Sequence, residues 1–191
     1  MKRILGVGLV ALLAVAALPA AASTFLGMDQ DALVKASDAV IVGEVLDVRS
    51  FWNDEATAIV TEAHVQVDRV VLGDAPGVVV VRTFGGQVGS IRIEAHGFPT
   101  FEKGQRTLLF LESDGQVARV TGYQQGQFRI VKRASDGVDV AVPALEAGAV
   151  LASVDGRAVA RPQVQALDTL VRGIVTAADR VDNGNLIQIK Q

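Results

Sequence analysis

The chain has 191 residues, 21 acidic against 18 basic side chains for a net charge of −3, one Trp, one Tyr and no cysteine. The lack of thiols excludes disulfides, thiolate metal sites, thiol nucleophiles, redox pairs and lipid attachment at a cysteine. A mildly acidic, aromatic-poor chain suits the phosphate backbone badly, so no nucleic-acid partner is expected.

Residues 1–23 read as a secretory signal peptide. Lys2 and Arg3 precede an uncharged apolar run from Ile4 to Leu18, and Pro19 leads into the small residues Ala20, Ala21, Ala22 and Ser23. The run falls short of the ~20 apolar residues of a spanning helix. The expectation is an exported protein, periplasmic or secreted, with no stable membrane insertion after cleavage. Cleavage after Ala22 or Ser23 leaves 169 or 168 residues, and losing Lys2 and Arg3 takes the net charge to −5. A chain of this size forms one domain that buries roughly 70% of its unfolded surface. That domain is expected over 24–180, with a tail over 181–191.

Asp29 to Ser37 predicts a short helix, with Asp29 as its cap, Asp31 in the first turn and Lys35 in the last. From Ala39 the period changes to strand. Val40, Val42, Leu46 and Val48 are expected on one face, and Gly43 marks a bulge or bend. Ser50 to Glu55 reads as a polar turn carrying Trp52. Ala58 to Leu72 alternates, with Ile59, Thr61, Ala63, Val65 and Val67 on the apolar side. Gly73 to Gly77 is a turn, and Val78 to Thr83 returns to complete a hairpin.

Gly85 and Gly86 read as a barrel corner ahead of a further strand at Ser90 to Ala95. Gly97 to Gly104 is a loop and turn carrying Phe98 and Phe101. Thr107 to Leu111 is a strand buried on both sides, and Asp114-Gly115 a tight turn. Val117 to Thr121 and Gly126 to Val131 continue the sheet, and Val138 to Val142 is an edge strand. Pro162 opens a helix with Val164, Leu167, Leu170, Val171, Ile174, Val175 and Ala178 on one side, ending at Asp182 to Asn185. The sum is a mainly β fold: a five-stranded OB-like Greek-key barrel with a C-terminal helix. The alternative is an open β-sandwich with an edge helix.

The stretch Ala36-Ser37-Asp38-Ala39-Val40-Ile41-Val42-Gly43-Glu44-Val45 resembles the opening strand of cysteine-free OB-type domains of exported bacterial proteins. The same order continues in Val71-Leu72-Gly73-Asp74, Gly85-Gly86, Phe98 to Gly104 and Leu108 to Leu111. Those domains are distantly similar to the netrin-like modules of tissue metalloprotease inhibitors. The resemblance covers residues 36–131 and implies the OB fold. The animal inhibitors rely on disulfides and block zinc with an N-terminal cysteine. This chain has neither, so that inhibitory residue is not carried over and protease inhibition remains an analogy.

Two tripeptides place Glu and His on one strand face, Glu62-Ala63-His64 and Glu94-Ala95-His96. If they converged they would suit a divalent metal. A hairpin centred on Ala75 would set His64 opposite Gly86 and His96 opposite Asp54, far apart along the strand, so solvated strand faces are the expectation. No G-x-S-x-G, H-E-x-x-H or S-x-x-K motif occurs, and Gly85 to Gly89 lacks the Lys and helix of a phosphate loop. No enzyme activity and no cofactor are expected. Phe98, Phe101, Trp52 and Tyr123 are the candidate binding residues. The expected function is an exported non-catalytic module that binds a protein or peptide outside the cytoplasm, with a protease as one partner class. The alternatives are a metal-dependent enzyme or metal-binding protein, and a structural envelope protein.

Overall fold

The computed structural model describes residues 24–115, 117–146, 149–152 and 159–188. The signal segment 1–23 lies outside the described residues. Strand β1 (Thr24–Leu26) is followed by helix α1 (Gln30–Ala36), capped by the Asp29 carboxylate, which accepts the Ala32 N–H at 2.8 Å. Strands β2 (Ala39–Trp52) and β3 (Ile59–Gly73) form a long antiparallel ribbon, and β4 (Val78–Phe84) returns along β3. A separate hairpin holds β5 (Gly86–Val88) and β6 (Ile91–Ile93). Next come β7 (Arg106–Ser113), β8 (Ala118–Val120), a 3-10 turn (Tyr123–Gly126), β9 (Gln127–Lys132) and β10 (Asp139–Pro143). Strands β11 (Val150–Ala152) and β12 (Gln165–Ala166) lead to helix α2 (Leu167–Gln188).

The ring β2-β3-β4-β8-β7 closes on itself, because β7 pairs with both β2 and β8. In chain order its strands run 1-2-3-5-4, with the third and fifth parallel at Val81↔Ala118. This is the OB-like Greek-key barrel expected from the alternation and turn spacing. Strands β9, β10 and β12 extend the sheet as a wing beyond β7, and β1 lies parallel to β11 in a small sheet of its own.

Two apolar clusters lie on opposite sides of the same strands. Ile41, Val45, Val65, Val81, Leu109 and Phe101 fill the barrel. Val40, Val42, Leu108 and Phe110 point outward, where Phe128, Ile130 and the helix residues Leu33, Leu170 and Ile174 cover them. The start of β2 and the middle of β7 are therefore buried on both faces, which is why Ala39 to Val42 and Thr107 to Leu111 read as continuous apolar runs.

Several expectations need correcting. Val40, Val42, Leu46 and Val48 do not share a face: register shifts at Val40/Ile41, Val42/Gly43 and Val45/Asp47 turn Val48 toward the barrel and leave Leu46 exposed. Trp52 is in strand rather than turn, paired with Ile59; the turn is 53–58, where the Asn53 side-chain oxygen accepts the Thr57 and Ala58 N–H groups. The β3–β4 register sets His64 opposite Val80, not Gly86. It shifts because β3 after Val67 pairs only with β2, so the hairpin connection runs from Val67 to Gly77. Ser90 to Ala95 does not continue the barrel: β6 pairs with β5 in the small hairpin. Gly86 serves that departure, at φ +129° with no room for a Cβ beside the Ser50 and Thr61 hydroxyls. Helix α2 starts at Leu167 rather than Pro162, because Gln165 and Ala166 pair with β10. It also runs through Asp182 to Asn185 to Gln188, so most of the expected tail is helical.

Candidate functional site

One end of the barrel carries a cluster of aromatic rings. Phe84 ends β4, Phe98 sits in the loop after β6, and Tyr123 opens the 3-10 turn. The Phe84 and Phe98 centroids lie 5.3 Å apart and those of Phe98 and Tyr123 5.0 Å apart, both edge to face. Phe25 of β1 adds a tilted contact to Tyr123 at 6.3 Å. Phe84 and Tyr123 remain 52% and 49% exposed, with Phe98 half-buried between them.

Local geometry explains why the rings gather here. Along β4, Val79, Val81 and Thr83 point inward, so alternation turns Arg82 and Phe84 outward. Gly97 has φ +81°, and a Cβ there would overlap the Phe25 ring. Pro99 is buried and its carbonyl accepts the Thr83 hydroxyl at 3.1 Å, tying the Phe98 loop to β4. Gln124 donates to the Phe98 carbonyl through its side chain and to the Gly97 carbonyl through its backbone. Gln125, 3% exposed, accepts the Met28 N–H at 2.8 Å and donates to the Leu26 carbonyl at 2.9 Å, which pins β1 beside the cluster.

Two clefts flank the Phe84–Phe98 ridge. The larger, about 580 Å³, is lined by Phe84, Phe98 and Tyr123 with Arg82, Arg119 and Glu112 around them. The other, about 420 Å³, lies under the β5–β6 hairpin, with Ser50 and Thr61 at its base and Glu94 and His96 at its rim. The Ser50, Thr61 and Thr83 hydroxyls of this second cleft are already engaged. Thr61 donates to the Gly85 carbonyl at 2.6 Å, and Ser50 therefore donates to Thr61 across 2.8 Å.

Of the candidate binding residues, Phe98 and Tyr123 come together. Phe101 does not join them: it is 8% exposed and fills the barrel. Trp52 is half-buried at the end of β2 and lines neither cleft. Glu62 and His64 lie on the outer face of β3, where Glu62 accepts both Arg82 Nε and Nη2 at 3.0 and 2.6 Å. Glu94 and His96 are exposed beyond β6. Among the described residues no three His, Cys, Asp or Glu side chains converge as a metal site. Sequence reasoning missed Phe84. The available signal was an aromatic residue off the inward parity of its strand, next to a Gly-Gly pair.

No family model, curated protein or solved structure matches the chain. Among the described residues no helix is long and apolar enough to cross a membrane.

Proposed function

We propose that the protein is an exported, non-catalytic module that binds a peptide or protein segment outside the cytoplasm, with the aromatic cleft as its docking site. The observation that carries this reading is the half-exposure of Phe84 and Tyr123 in contact with Phe98. Water-exposed rings grouped in a cleft are the usual anchors of a recognition surface. The hydrogen bonds of Gln124, Gln125 and Thr83 hold the loops that carry the rings, so little order is lost on binding. The engagement of Ser50, Thr61 and Thr83 in the neighbouring cleft supports a binding role over nucleophilic chemistry. The resemblance to OB-type and netrin-like domains adds proteases as one partner class. Without a cysteine, such an encounter would rest on side-chain docking rather than zinc ligation.

A random peptide display library, selected on the purified protein and counter-selected on a Phe84→Ala, Tyr123→Ala double variant, tests the reading. Enrichment of peptides that need both rings is expected. Enrichment that ignores the rings, or none at all, defeats it.

A further inference from the structure

Resting on the reading of the aromatic cleft as a peptide site, we propose that its occupant is a proline-rich basic segment in polyproline II form. It lies across Phe84 and Tyr123 and places a Lys or Arg on Glu112.

Ring spacing argues for the conformation. Phe84 and Tyr123 stand on either side of Phe98 at 5.3 and 5.0 Å, which puts their centroids no more than about 10 Å apart. They make no ring contact with each other, so they lie beyond the ~7 Å reach of such pairs. Prolines three apart in a polyproline II chain, rising ~3.1 Å per residue, repeat every ~9.3 Å. Same-face side chains of a β-strand repeat every ~6.6–6.8 Å, short of the gap. Same-face side chains of an α-helix repeat every ~6 Å (i, i+4) or ~10.5 Å (i, i+7), on either side of the gap. Of the three, the proline-rich chain has the repeat that fits. Its bound form is already populated when free, and aromatic-lined grooves are the usual surface it docks on.

Charge argues for the basic residue. Three charged side chains line the cleft. Arg82 is held by Glu62 at 2.6 Å and Arg119 by Asp114 at 3.2 Å. Glu112 is exposed and faces Arg119 across the β7–β8 ladder, but Arg119 pairs with Asp114, and Glu112 forms no ion pair among the described residues. With Glu62 and Asp114 counted, three carboxylates stand against two guanidinium groups around the cleft, so the complementary ligand carries a cation.

Fluorescence anisotropy on the purified protein tests this with three labelled peptides of equal length. The first has prolines three apart and one Arg. The second has Glu in place of that Arg, and the third has Val and Thr in place of every Pro. The proline and arginine peptide should bind at least tenfold more tightly than either of the others. Phe84→Ala or Tyr123→Ala should weaken it by at least tenfold. Glu112→Gln should weaken the arginine peptide alone, and added salt should shrink that difference. Both rings are about half exposed, so these variants should keep their circular dichroism spectrum. Equal or tighter binding of the Val/Thr peptide overturns the proposal. So does indifference to the ring variants, or no binding of the first peptide. The display selection separates the two failures. Ring-dependent binders without proline would sink only the polyproline II assignment, whereas the absence of any ring-dependent binder would sink the peptide site as well.

Discussion

Tyr123 has φ +60°, a left-handed backbone conformation that a residue with a Cβ adopts at a penalty of roughly 1–2 kcal/mol. The preceding Gly122 is left-handed too, at φ +65°, and together they swing the Tyr123 ring out beside Phe98. The fold holds strain at the residue proposed to touch ligand, a pairing often met at functional sites. Two substitutions separate strain from ring. Tyr123→Ala and Tyr123→Gly both remove the aromatic contacts, but only Gly relieves the backbone. The Gly variant should be more stable than the Ala variant by about 1 kcal/mol, or ~2–4 °C in Tm for a chain of this length, and both should show the same weakened peptide binding. Equal Tm values would mean the conformation carries no strain. Phe101 and Phe98 make a second contrast, because they share a loop and differ in burial. Phe101→Ala opens a cavity in the barrel and should destabilise by about 3–5 kcal/mol in urea unfolding. Phe98→Ala forfeits two edge-to-face contacts worth roughly 0.5–1.5 kcal/mol each, so it should cost clearly less stability while still abolishing binding.

Among the elements, the wing is joined to the barrel partly by charge. Asp139 on β10 accepts Lys132 Nζ of β9 at 2.7 Å and Arg106 Nη1 of β7 at 2.9 Å. The hydrogen bond from Lys132 and then that from Arg106 hold its carboxyl below the ordinary aspartate range. A depressed folded-state pKa stabilises the fold above the unfolded value of about 3.9, and the gain is lost as pH falls through the folded value. Asp139→Asn should therefore lower the urea midpoint at pH 5 to 7, and its difference from the parent should close below about pH 4. A difference that stays constant down to pH 2 would assign the effect to packing. The Asp31–Arg180 pair joining α1 and α2 is half exposed on both sides and should contribute far less. Element type was legible wherever the hydrophobic period was clean: the Asp29 cap, the alternation of Ile59 to Val67 and the two-sided Thr107 to Leu111 run all held. Register was not. Of the register shifts in β2, the one at Val42/Gly43 was marked by Gly43, whereas those at Val40/Ile41 and Val45/Asp47 depend on which strand lies alongside. The β3–β4 offset depends on β3 leaving β4 to continue along β2, and it leaves no mark in local composition. The start of α2 was misplaced because Pro162 is a sound helix opener, yet Gln165 and Ala166 find a tertiary partner in β10.

At the scale of the whole molecule, closure of the barrel was legible from turn spacing, although the corner read at Gly85-Gly86 is where the chain leaves the barrel, and the docking site was not legible. Phe84, Phe98 and Tyr123 are 14 to 39 residues apart in the chain, and only the ring order of the barrel brings the end of β4 beside the turn after β8. The same topology gives the barrel an uneven wall. Strands β2 and β3 pair along almost their whole length, from Ala39↔Gly73 to Trp52↔Ile59, whereas β4 and β8 meet at a single pair, Val81↔Ala118. Beyond that pair the two strands are bordered by the aromatic cleft, so the seam and the proposed site are the same place. Segments with few ladder hydrogen bonds and solvent on one side open at the lowest free energy. Native-state hydrogen exchange should therefore be slowest in Val40 to Gly43 of β2 and Leu108 to Leu111 of β7, which are buried on both faces. It should be much faster in β8, in Arg82 to Phe84 and in the β5–β6 hairpin. A proline-rich peptide seated in the cleft would bridge the loose edge, so its addition should slow exchange at 82–84 and 118–123 and leave the slowest strands unchanged. Seam amides as slow as those of β2 in the free protein would show that the wall is uniformly tight. Protection gained elsewhere on adding the peptide would place its contact away from the rings.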